Sequence, residues 1–227
     1  MEPVRIGNCT LYCADLMDVS LPRADLCIVD PPYGIGESSR KNATRGKPFG
    51  SRVDGKNTKG TFVPPVDYGT YEWDDEPLND ATLQAIRSCA ERVILWGGNF
   101  YPLPPASKWL VWDKQNSGDF ADCELAWTNL PGAVRIFRHM WNGMLRASER
   151  DTPRVHPTQK PIALMRWCLQ QVGDVKSVID PCMGSSTVGI ACSELNIPYI
   201  GIERSKGYFD IACERIENAQ RQQRMFS

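Results

Sequence analysis

The chain has 227 residues, 42% of them hydrophobic and 23% charged, with a formal net charge of −1. That length predicts a single domain with a buried core, and the composition is typical of soluble globular proteins. The balanced charge excludes binding of polyanions through overall charge. The N-terminus has no apolar signal region and no run reaches membrane-spanning length, so we expect a cytoplasmic protein.

Strand-like and helical patterns alternate along the chain. Strands are predicted at Thr10–Ala14, Leu26–Val29, Val93–Trp96, Trp109–Trp112, Glu124–Trp127, Ala133–Phe137, Ser177–Ile179 and Tyr199–Ile202. Helices are predicted at Ala81–Glu91, Ile162–Val172, Thr187–Leu195 and Gly207–Arg221. This alternation indicates an α/β sheet with parallel strands. The polar segment 34–75 has little periodicity and is predicted to be a long functional loop.

The strongest local motif is Asp30-Pro31-Pro32-Tyr33, which follows the apolar run Leu26–Val29. The aspartate and the Pro31 carbonyl can each accept one N–H from an exocyclic amine, and the tyrosine ring can cover a planar base. Proline has a fixed φ and no N–H, so this turn is rigid and offers acceptors rather than donors. The motif predicts a site for an amino-bearing base, although taken alone it fits a plain turn equally well.

Two segments carry a local excess of positive charge. Residues 34–62 contain Arg40, Lys41, Arg45, Lys47, Arg52, Lys56 and Lys59, and residues 135–160 contain Arg135, Arg138, Arg146, Arg150, Arg154 and Lys160. Both segments predict a surface that faces a polyanion, the alternative being solvated loops.

The nine cysteines form no Cys-x-x-Cys pair and have no paired histidines at zinc spacing. Most of them lie in apolar runs, as do Cys27, Cys89, Cys168, Cys192 and Cys213. Such cysteines behave as small buried hydrophobic residues in a reducing compartment. We therefore expect no metal site.

A second site is predicted near the C-terminus, where residues 178–187 form a strand, a tight turn and the start of a helix. Such a turn lets backbone N–H groups approach a ligand, but it lacks the Gly-x-Gly-x-x-Gly pattern of pyrophosphate binding. The next strand ends at Glu203, where an acid typically accepts hydrogen bonds from ribose hydroxyls. Together these features predict a nucleoside ligand, whereas Glu203 alone could be an exposed helix-capping acid.

Only one helix follows Glu203, so the remaining strands of a nucleotide-binding half-sheet have to come from the N-terminus. The predicted strands that precede Asp15 and Asp30 can supply them in a circularly permuted order. Asp15 would then reach the base of the nucleoside, and Asp30 would project at the same edge of the sheet. Ligands of open α/β sheets bind at that edge.

Three motifs in this order resemble the amino-group DNA methyltransferases of the permuted beta class, most closely the small phage- or prophage-type enzymes. The motifs are Asp30–Tyr33, His156–Pro161, and Asp180–Thr187 followed by Glu203. The segments 96–99, 109–114 and 122–127 also resemble that group. The resemblance implies one catalytic domain over residues 1–227, with a Rossmann-like, S-adenosylmethionine-dependent sheet, mostly parallel with an antiparallel edge.

The resemblance also implies roles for individual residues. Asp30 and the Pro31 carbonyl would bind the target amine in a turn completed by Pro32, and Tyr33 would stack on the flipped base. The cofactor would be held by Asp15 at the adenine, Thr158 and Lys160 at the methionine carboxylate, Glu203 at the ribose, and Asp180, Pro181, Cys182, Gly184, Ser185, Ser186 and Thr187 around the methionine part. The family usually has Phe at position 182 and Gly at position 186, so we expect the same cofactor with altered affinity.

The implied activity is transfer of a methyl group to the N6 amine of a flipped adenine in double-stranded DNA, in a bacterial or phage-infected cell. The direct transfer needs no covalent intermediate, so no cysteine has to act as a nucleophile. One alternative is N4-cytosine methylation, for which the family tends to use Ser in place of Asp30. Methylation of protein glutamine or RNA generally involves Asn there and an unpermuted order. A catalytically weak DNA-binding relative is suggested by Cys182 and Ser186.

DNA contacts are predicted in the two basic segments. In the loop 34–75 the residues Arg40, Lys41, Arg45, Lys47 and Arg52 would lie on the phosphate backbone. In the segment 135–155 the side chains of Arg138 and Arg146 would read guanine edges, unless they are simply solvated. His156 is predicted to be a structural turn residue. With so little chain outside the sheet, either the recognition sequence is short or a second subunit contributes, which keeps a homodimer as an alternative. The sequence leaves a restriction endonuclease partner open.

Overall fold

A computed structural model describes residues 2–20, 23–35, 52–53, 56–57, 76–115, 121–141, 146–150, 152, 154–156 and 158–226. The chain forms two compact units. The larger unit consists of Met1–Pro31 and Leu78–Ser227, and the smaller unit is Pro32–Pro77. No helix among the described residues is long and apolar enough to cross a membrane.

The described residues form eleven strands and four α-helices. The strands are β1 (Val4–Ile6), β2 (Cys9–Cys13), β3 (Ala24–Val29), β4 (Arg52–Val53), β5 (Lys56–Asn57), β6 (Ala90–Trp96), β7 (Trp109–Asp113), β8 (Cys123–Thr128), β9 (Arg135–Arg138), β10 (Val178–Asp180) and β11 (Tyr199–Glu203). The helices are α1 (Asp80–Ser88), α2 (Ile162–Gln170), α3 (Thr187–Glu194) and α4 (Lys206–Phe226).

Nine strands of the larger unit form one sheet in the order β1-β2-β11-β10-β3-β6-β8-β7-β9. The five strands from β2 to β6 in this order are mutually parallel. Strand β8 runs antiparallel to both β6 and β7, and β1 adds an antiparallel edge beside β2. The N-terminal strands β2 and β3 therefore flank the C-terminal pair β10 and β11. This confirms the predicted permuted α/β sheet with mostly parallel strands.

The central strand β3 shows why the sheet is parallel. All four residues of its apolar run Leu26–Val29 are fully buried. Leu26 and Ile28 join the main core with residues of α2, α3 and α4. Cys27 and Val29, which point to the opposite face because side chains alternate along a strand, are buried as well. A strand covered on both faces is typical of a parallel sheet in an α/β fold.

The structure adds three details to the predicted elements. Strand β1 was not predicted, because it has three residues and two of them, Val4 and Arg5, are exposed. Helix α4 continues to Phe226, beyond the predicted end at Arg221. In the smaller unit, the predicted loop contains β4 and β5, which pair in an antiparallel ribbon.

Candidate active site

Four acidic residues lie at the ends of four adjacent parallel strands or just after them. Asp15 comes shortly after β2, Glu203 and Asp180 are the last residues of β11 and β10, and Asp30 follows β3. Parallel neighbours end at the same edge of a sheet, which is where open α/β sheets bind ligands. The charges of Asp30 and Glu203 contribute to raising the pKa of Asp180, as expected for acids that lie close together. The structure thus brings the predicted acids to one edge.

Asp180 anchors the turn between β10 and α3. Its carboxylate is buried, and Oδ1 accepts the backbone N–H of Cys182 at 3.2 Å. Burial, reinforced by the neighbouring charges of Asp30 and Glu203, raises the pKa of Asp180 well above its usual range. Burial also raises the pKa of the Cys182 thiol well above its ordinary value. A thiol held in its protonated form is a poor nucleophile, in line with the prediction that no cysteine acts as one.

Glu203 ties this turn to β11. Its Oε2 accepts the N–H of Gly184 at 3.0 Å, and its Oε1 accepts the N–H of Ser205 at 2.8 Å. Gly184 has φ +50°, a conformation that glycine adopts without strain. Burial raises the pKa of Glu203. Glu203 is therefore a half-buried residue that shapes the turn, rather than an exposed capping acid.

Ser186 stands at the position where the resembled family has glycine, and the backbone explains that preference. Its φ is +57°, in the left-handed region that costs a residue with a side chain about 1 kcal/mol or more. The Ser186 hydroxyl donates to the buried Tyr199 hydroxyl at 3.2 Å, which offsets part of the strain. The guanidinium of Arg215 donates to the Ser185 carbonyl. The serine turn is thus braced from β11 and from α4.

Lys160 lies at the centre of the polar groups beside Asp30. Its ammonium forms an ion pair with the Asp30 carboxylate and lies 3.2 Å from Oε2 of Glu124. The side chain is only 5% exposed, and the ammonium sits 5.7 Å from the ring centre of Trp96. Burial favours loss of the proton, but the two carboxylates outweigh it and raise the pKa of Lys160. The predicted role of Lys160 at the cofactor carboxylate stays a prediction.

Glu124 was not singled out from the sequence, yet it links Lys160 to a second lysine. Its other oxygen forms an ion pair with Lys114, whose ammonium lies 5.0 Å from the ring centre of Trp112. Burial would raise the pKa of Glu124, but the two ammonium groups lower it to about 2. One feature of the sequence could have pointed to Glu124. It shares a face of β8 with Ala126 and Thr128, which are both fully buried, so a charged residue on that face needs partners.

The segment before Lys160 packs around His156. The Nδ1 atom of His156 accepts the backbone N–H of Thr158 at 3.3 Å, and the histidine ring lies 4.4 Å from the Tyr208 ring between centres. Burial and the positive charges of Arg154, Lys160 and Arg215 lower the pKa of His156 to about 3. A neutral histidine that orders its own turn agrees with the predicted structural role.

The remaining predicted cofactor and amine-binding residues differ in burial and in position. Asp15 is exposed, and its Oδ1 accepts the N–H of Met17 at 2.9 Å. Pro31 and Pro181 are buried, and Thr187 begins α3. Pro32 and Tyr33 belong to the smaller unit, where Tyr33 pairs with Pro77 in an isolated bridge.

The predicted DNA-binding residues are only partly described. Arg40, Lys41, Arg45 and Lys47 lie outside the described residues, and Arg52 is described only as the first residue of β4. Arg138 on β9 is 64% exposed, with its Nε atom 3.4 Å from Asp113 Oδ2.

Arg146 is committed to its own loop. Its guanidinium donates to the carbonyls of Thr152 at 2.7 Å and Arg150 at 3.0 Å, and it lies 5.6 Å from the ring centre of Trp141. These bonds favour a structural role for Arg146 over the predicted reading of guanine edges, which stays a prediction for Arg138.

A permuted parallel sheet with acids at the ends of adjacent strands and an Asp-Pro-Pro-Tyr turn is the arrangement that the resemblance to amino-group methyltransferases predicts. Comparison with known proteins agrees. Residues 106–214 match the family model N6_N4_Mtase, described as DNA methylase. The matched part of the chain runs from before β7 into α4.

Two curated relatives and one solved structure are similar to the chain. Type II methyltransferase M2.DpnII of Streptococcus pneumoniae is 35% identical over 81 residues, which cover 35% of this chain and 30% of that protein. Type II methyltransferase M2.MboI of Moraxella bovis is 24% identical over 92% of this chain and 85% of its own length. The PvuII DNA methyltransferase (cytosine-N4-specific) has the same fold, with a TM-score of 0.52, 12% identity, and coverage of 95% and 92%.

Proposed function

We propose that the protein transfers a methyl group from S-adenosylmethionine to the N6 amine of adenine in double-stranded DNA. The observation that carries this proposal is the placement of Asp30 at the same edge of the sheet as the Asp180 turn and Glu203. An amine acceptor and a nucleoside-type turn then share one site. The family of residues 106–214 and the names of the relatives support DNA as the substrate.

The site suits S-adenosylmethionine because three acids crowd around the predicted turn. Burial raises the pKa of Asp180, and the charges of Asp30 and Glu203 add to this effect. A cationic ligand would relieve the repulsion among the three acids, and the cofactor carries a sulfonium. We assign Glu203 to the ribose, Asp15 to the adenine, Lys160 with Thr158 to the carboxylate, and the turn 180–187 to the methionine part. When bound, the cofactor supplies an electrophilic methyl group.

The chain's own contribution is to position the amine. An exocyclic amine is a weak nucleophile because its lone pair is delocalised into the ring. Asp30 and the Pro31 carbonyl, each accepting one N–H, would draw the nitrogen towards tetrahedral geometry and aim its lone pair at the methyl group. The base has to leave the duplex, at a cost of a few kcal/mol, and we assign Tyr33 to stack on it. We propose adenine rather than cytosine because the resembled family tends to use Ser in place of Asp30 for cytosine.

Two measurements test this function in order. Calorimetry should show binding of S-adenosylmethionine to the purified protein, and absence of binding would contradict the enzyme assignment. Mass spectrometry of nucleosides from methylation-deficient cells that express the protein should then show N6-methyladenine. N4-methylcytosine instead would leave the class intact and refute the choice of base.

Glu203 provides a pH-dependent prediction for cofactor binding. We expect Glu203→Gln to weaken S-adenosylmethionine binding about tenfold or more, because a charged acceptor of ribose hydroxyls is lost. Burial raises the pKa of Glu203, so as pH falls its carboxylate protonates earlier than an ordinary glutamate, and wild-type affinity should fall over that range. Glu203→Gln should flatten this dependence. Calorimetry from pH 8 downwards checks both, and a wild-type affinity independent of pH would contradict the assignment.

Protonation of Glu203, which should weaken cofactor binding, should instead increase the stability of the ligand-free protein. A carboxyl whose pKa is raised on folding binds its proton more tightly in the folded state. The Glu203 contribution to the unfolding free energy therefore rises as pH falls through the raised pKa. Urea titrations of wild type and Glu203→Gln at matched pH values separate this effect from ligand binding.

We also propose that the basic segment 34–62 contacts DNA phosphates. Replacing Arg40, Lys41, Arg45 and Lys47 by glutamate should weaken DNA binding and make it less dependent on salt. Each phosphate contact releases counterions from the DNA, so the loss of a contact reduces the number released and with it the salt slope. Equilibrium binding at several salt concentrations checks this prediction. An unchanged salt slope would assign the DNA contacts elsewhere.

A further inference from the structure

Four charged side chains alternate in sign, beginning with the proposed amine acceptor. The order is Asp30, Lys160, Glu124 and Lys114, and each neighbouring pair forms an ion pair. They come from the end of β3, the segment before α2, strand β8 and the end of β7, so the row exists only in the folded sheet. Lys160 is 5% exposed and Glu124 is 23% exposed, so solvent screens their charges weakly.

Two tryptophans form a common support for the lysines. The Lys160 ammonium lies 5.7 Å from the ring centre of Trp96, and the Lys114 ammonium lies 5.0 Å from that of Trp112. The two indole rings meet edge to face with centres 6.5 Å apart. Each ammonium is thus held between a carboxylate and an aromatic face. These contacts hold the four charged side chains in fixed positions, unlike ion pairs on a protein surface, whose side chains are mobile.

The row poses an electrostatic problem for the proposed reaction. As the N–C bond forms and the S–C bond breaks, positive charge moves from sulfur to the amine nitrogen, which then loses a proton to solvent. A negative Asp30 stabilises that developing charge. Lys160 paired with Asp30 alone would neutralise this effect. Glu124 engages the same ammonium 3.2 Å away, so Asp30 and Glu124 share the charge of Lys160, while Lys114 lies beyond Glu124 on the side away from Lys160.

We propose that Glu124 is a positioning residue for methyl transfer. It holds the Lys160 ammonium between two carboxylates and counters its charge, which leaves Asp30 able to accept from the target amine and to stabilise the cationic nitrogen. Lys114, whose side chain is 18% exposed, fixes Glu124 from the far side. This inference rests on the proposed function and assigns a residue that neither the sequence motifs nor the comparisons single out.

The test measures single-turnover methyl transfer to DNA at saturating S-adenosylmethionine, together with the cofactor Kd, for three variants. Glu124→Gln, which keeps the shape and removes the charge, should transfer about 10- to 100-fold more slowly with Kd within about threefold of wild type. Glu124→Asp, which keeps the charge, should recover at least part of the lost rate. The control Glu217→Gln removes the charge of a surface pair on α4 and should transfer at the wild-type rate.

Several outcomes would overturn the inference. A wild-type rate in Glu124→Gln shows that the charge is not needed, and a rate in Glu124→Asp as low as in Glu124→Gln shows that side-chain length rather than charge matters. A weaker Kd with an unchanged rate moves the role to cofactor binding. If Glu124→Gln does not fold, judged by circular dichroism, Glu124→Asp decides alone: a rate near wild type supports the inference, and a loss above tenfold rejects it. If wild type transfers no methyl group although it binds the cofactor, the proposed function fails and the inference fails with it.

Discussion

Asp30→Asn should lower the rate of methyl transfer at least a hundredfold and leave the Kd for S-adenosylmethionine within about threefold of wild type. The substitution keeps the shape of the side chain but removes the negative charge that faces the developing positive charge on the amine. Its amide group also adds donors where the target amine needs acceptors. Removing one preorganised electrostatic group from an active site typically costs a factor of 100 to 1,000 in kcat.

The cofactor Kd separates this effect from damage to the fold. Lys160 retains its ion pair with Glu124 in the variant, so the buried ammonium is not left alone. Asp122→Asn is the matched control, since Asp122 is an exposed aspartate just before β8. We expect wild-type transfer from the control. A rate within threefold of wild type in Asp30→Asn would reject Asp30 as the amine acceptor.

Lys160→Met produces the largest expected loss of stability, about 3 to 5 kcal/mol in the unfolding free energy. The ammonium is buried between Asp30 and Glu124, and its removal leaves two carboxylates near each other with one fewer cation. Breaking a buried ion pair costs this much because the remaining charge stays desolvated. Urea titration measures the change, with the unfolding slope checked for two-state behaviour.

A double variant tests the electrostatic cause. Lys160→Met combined with Glu124→Gln removes one of the two carboxylates that lose Lys160 as a partner, so its loss should be clearly smaller than the sum of the single losses. Lys206→Met is the control, because Lys206 is a highly exposed lysine whose pair with Asp210 is one helical turn along α4. It should leave stability unchanged within error. Strict additivity of the two buried substitutions would show that Lys160 stabilises by packing alone.

The sheet and its ligand-binding edge were predictable because they follow from local patterns. Apolar runs that end in Asp30, Asp180 and Glu203 define parallel strands, and the carboxyl ends of such strands meet at one edge. The permuted order then follows from placing the N-terminal strands beside β10 and β11. The left-handed φ of Ser186 was not predicted, although it explains why the resembled family has glycine at this position.

The row of charges was not predictable, because it depends on contacts between distant segments. Glu124 reaches Lys160 only because β8 runs antiparallel between β6 and β7, and because the segment before α2 returns across the sheet. Sequence alone assigned Lys160 to a cofactor group through resemblance and gave no partner to Glu124. Likewise, Arg146 looked available for DNA, whereas its carbonyl contacts depend on the fold of its own loop.

The central claim is that this site methylates the amine of a DNA base. The most direct measurement incubates purified protein with methyl-labelled S-adenosylmethionine and unmethylated DNA, then identifies labelled nucleosides by mass spectrometry, with Asp30→Asn in parallel. We predict labelled N6-methyladenine from wild type and at most traces from the variant. No labelled nucleoside from a protein that binds the cofactor, or equal labelling by both proteins, would contradict the account.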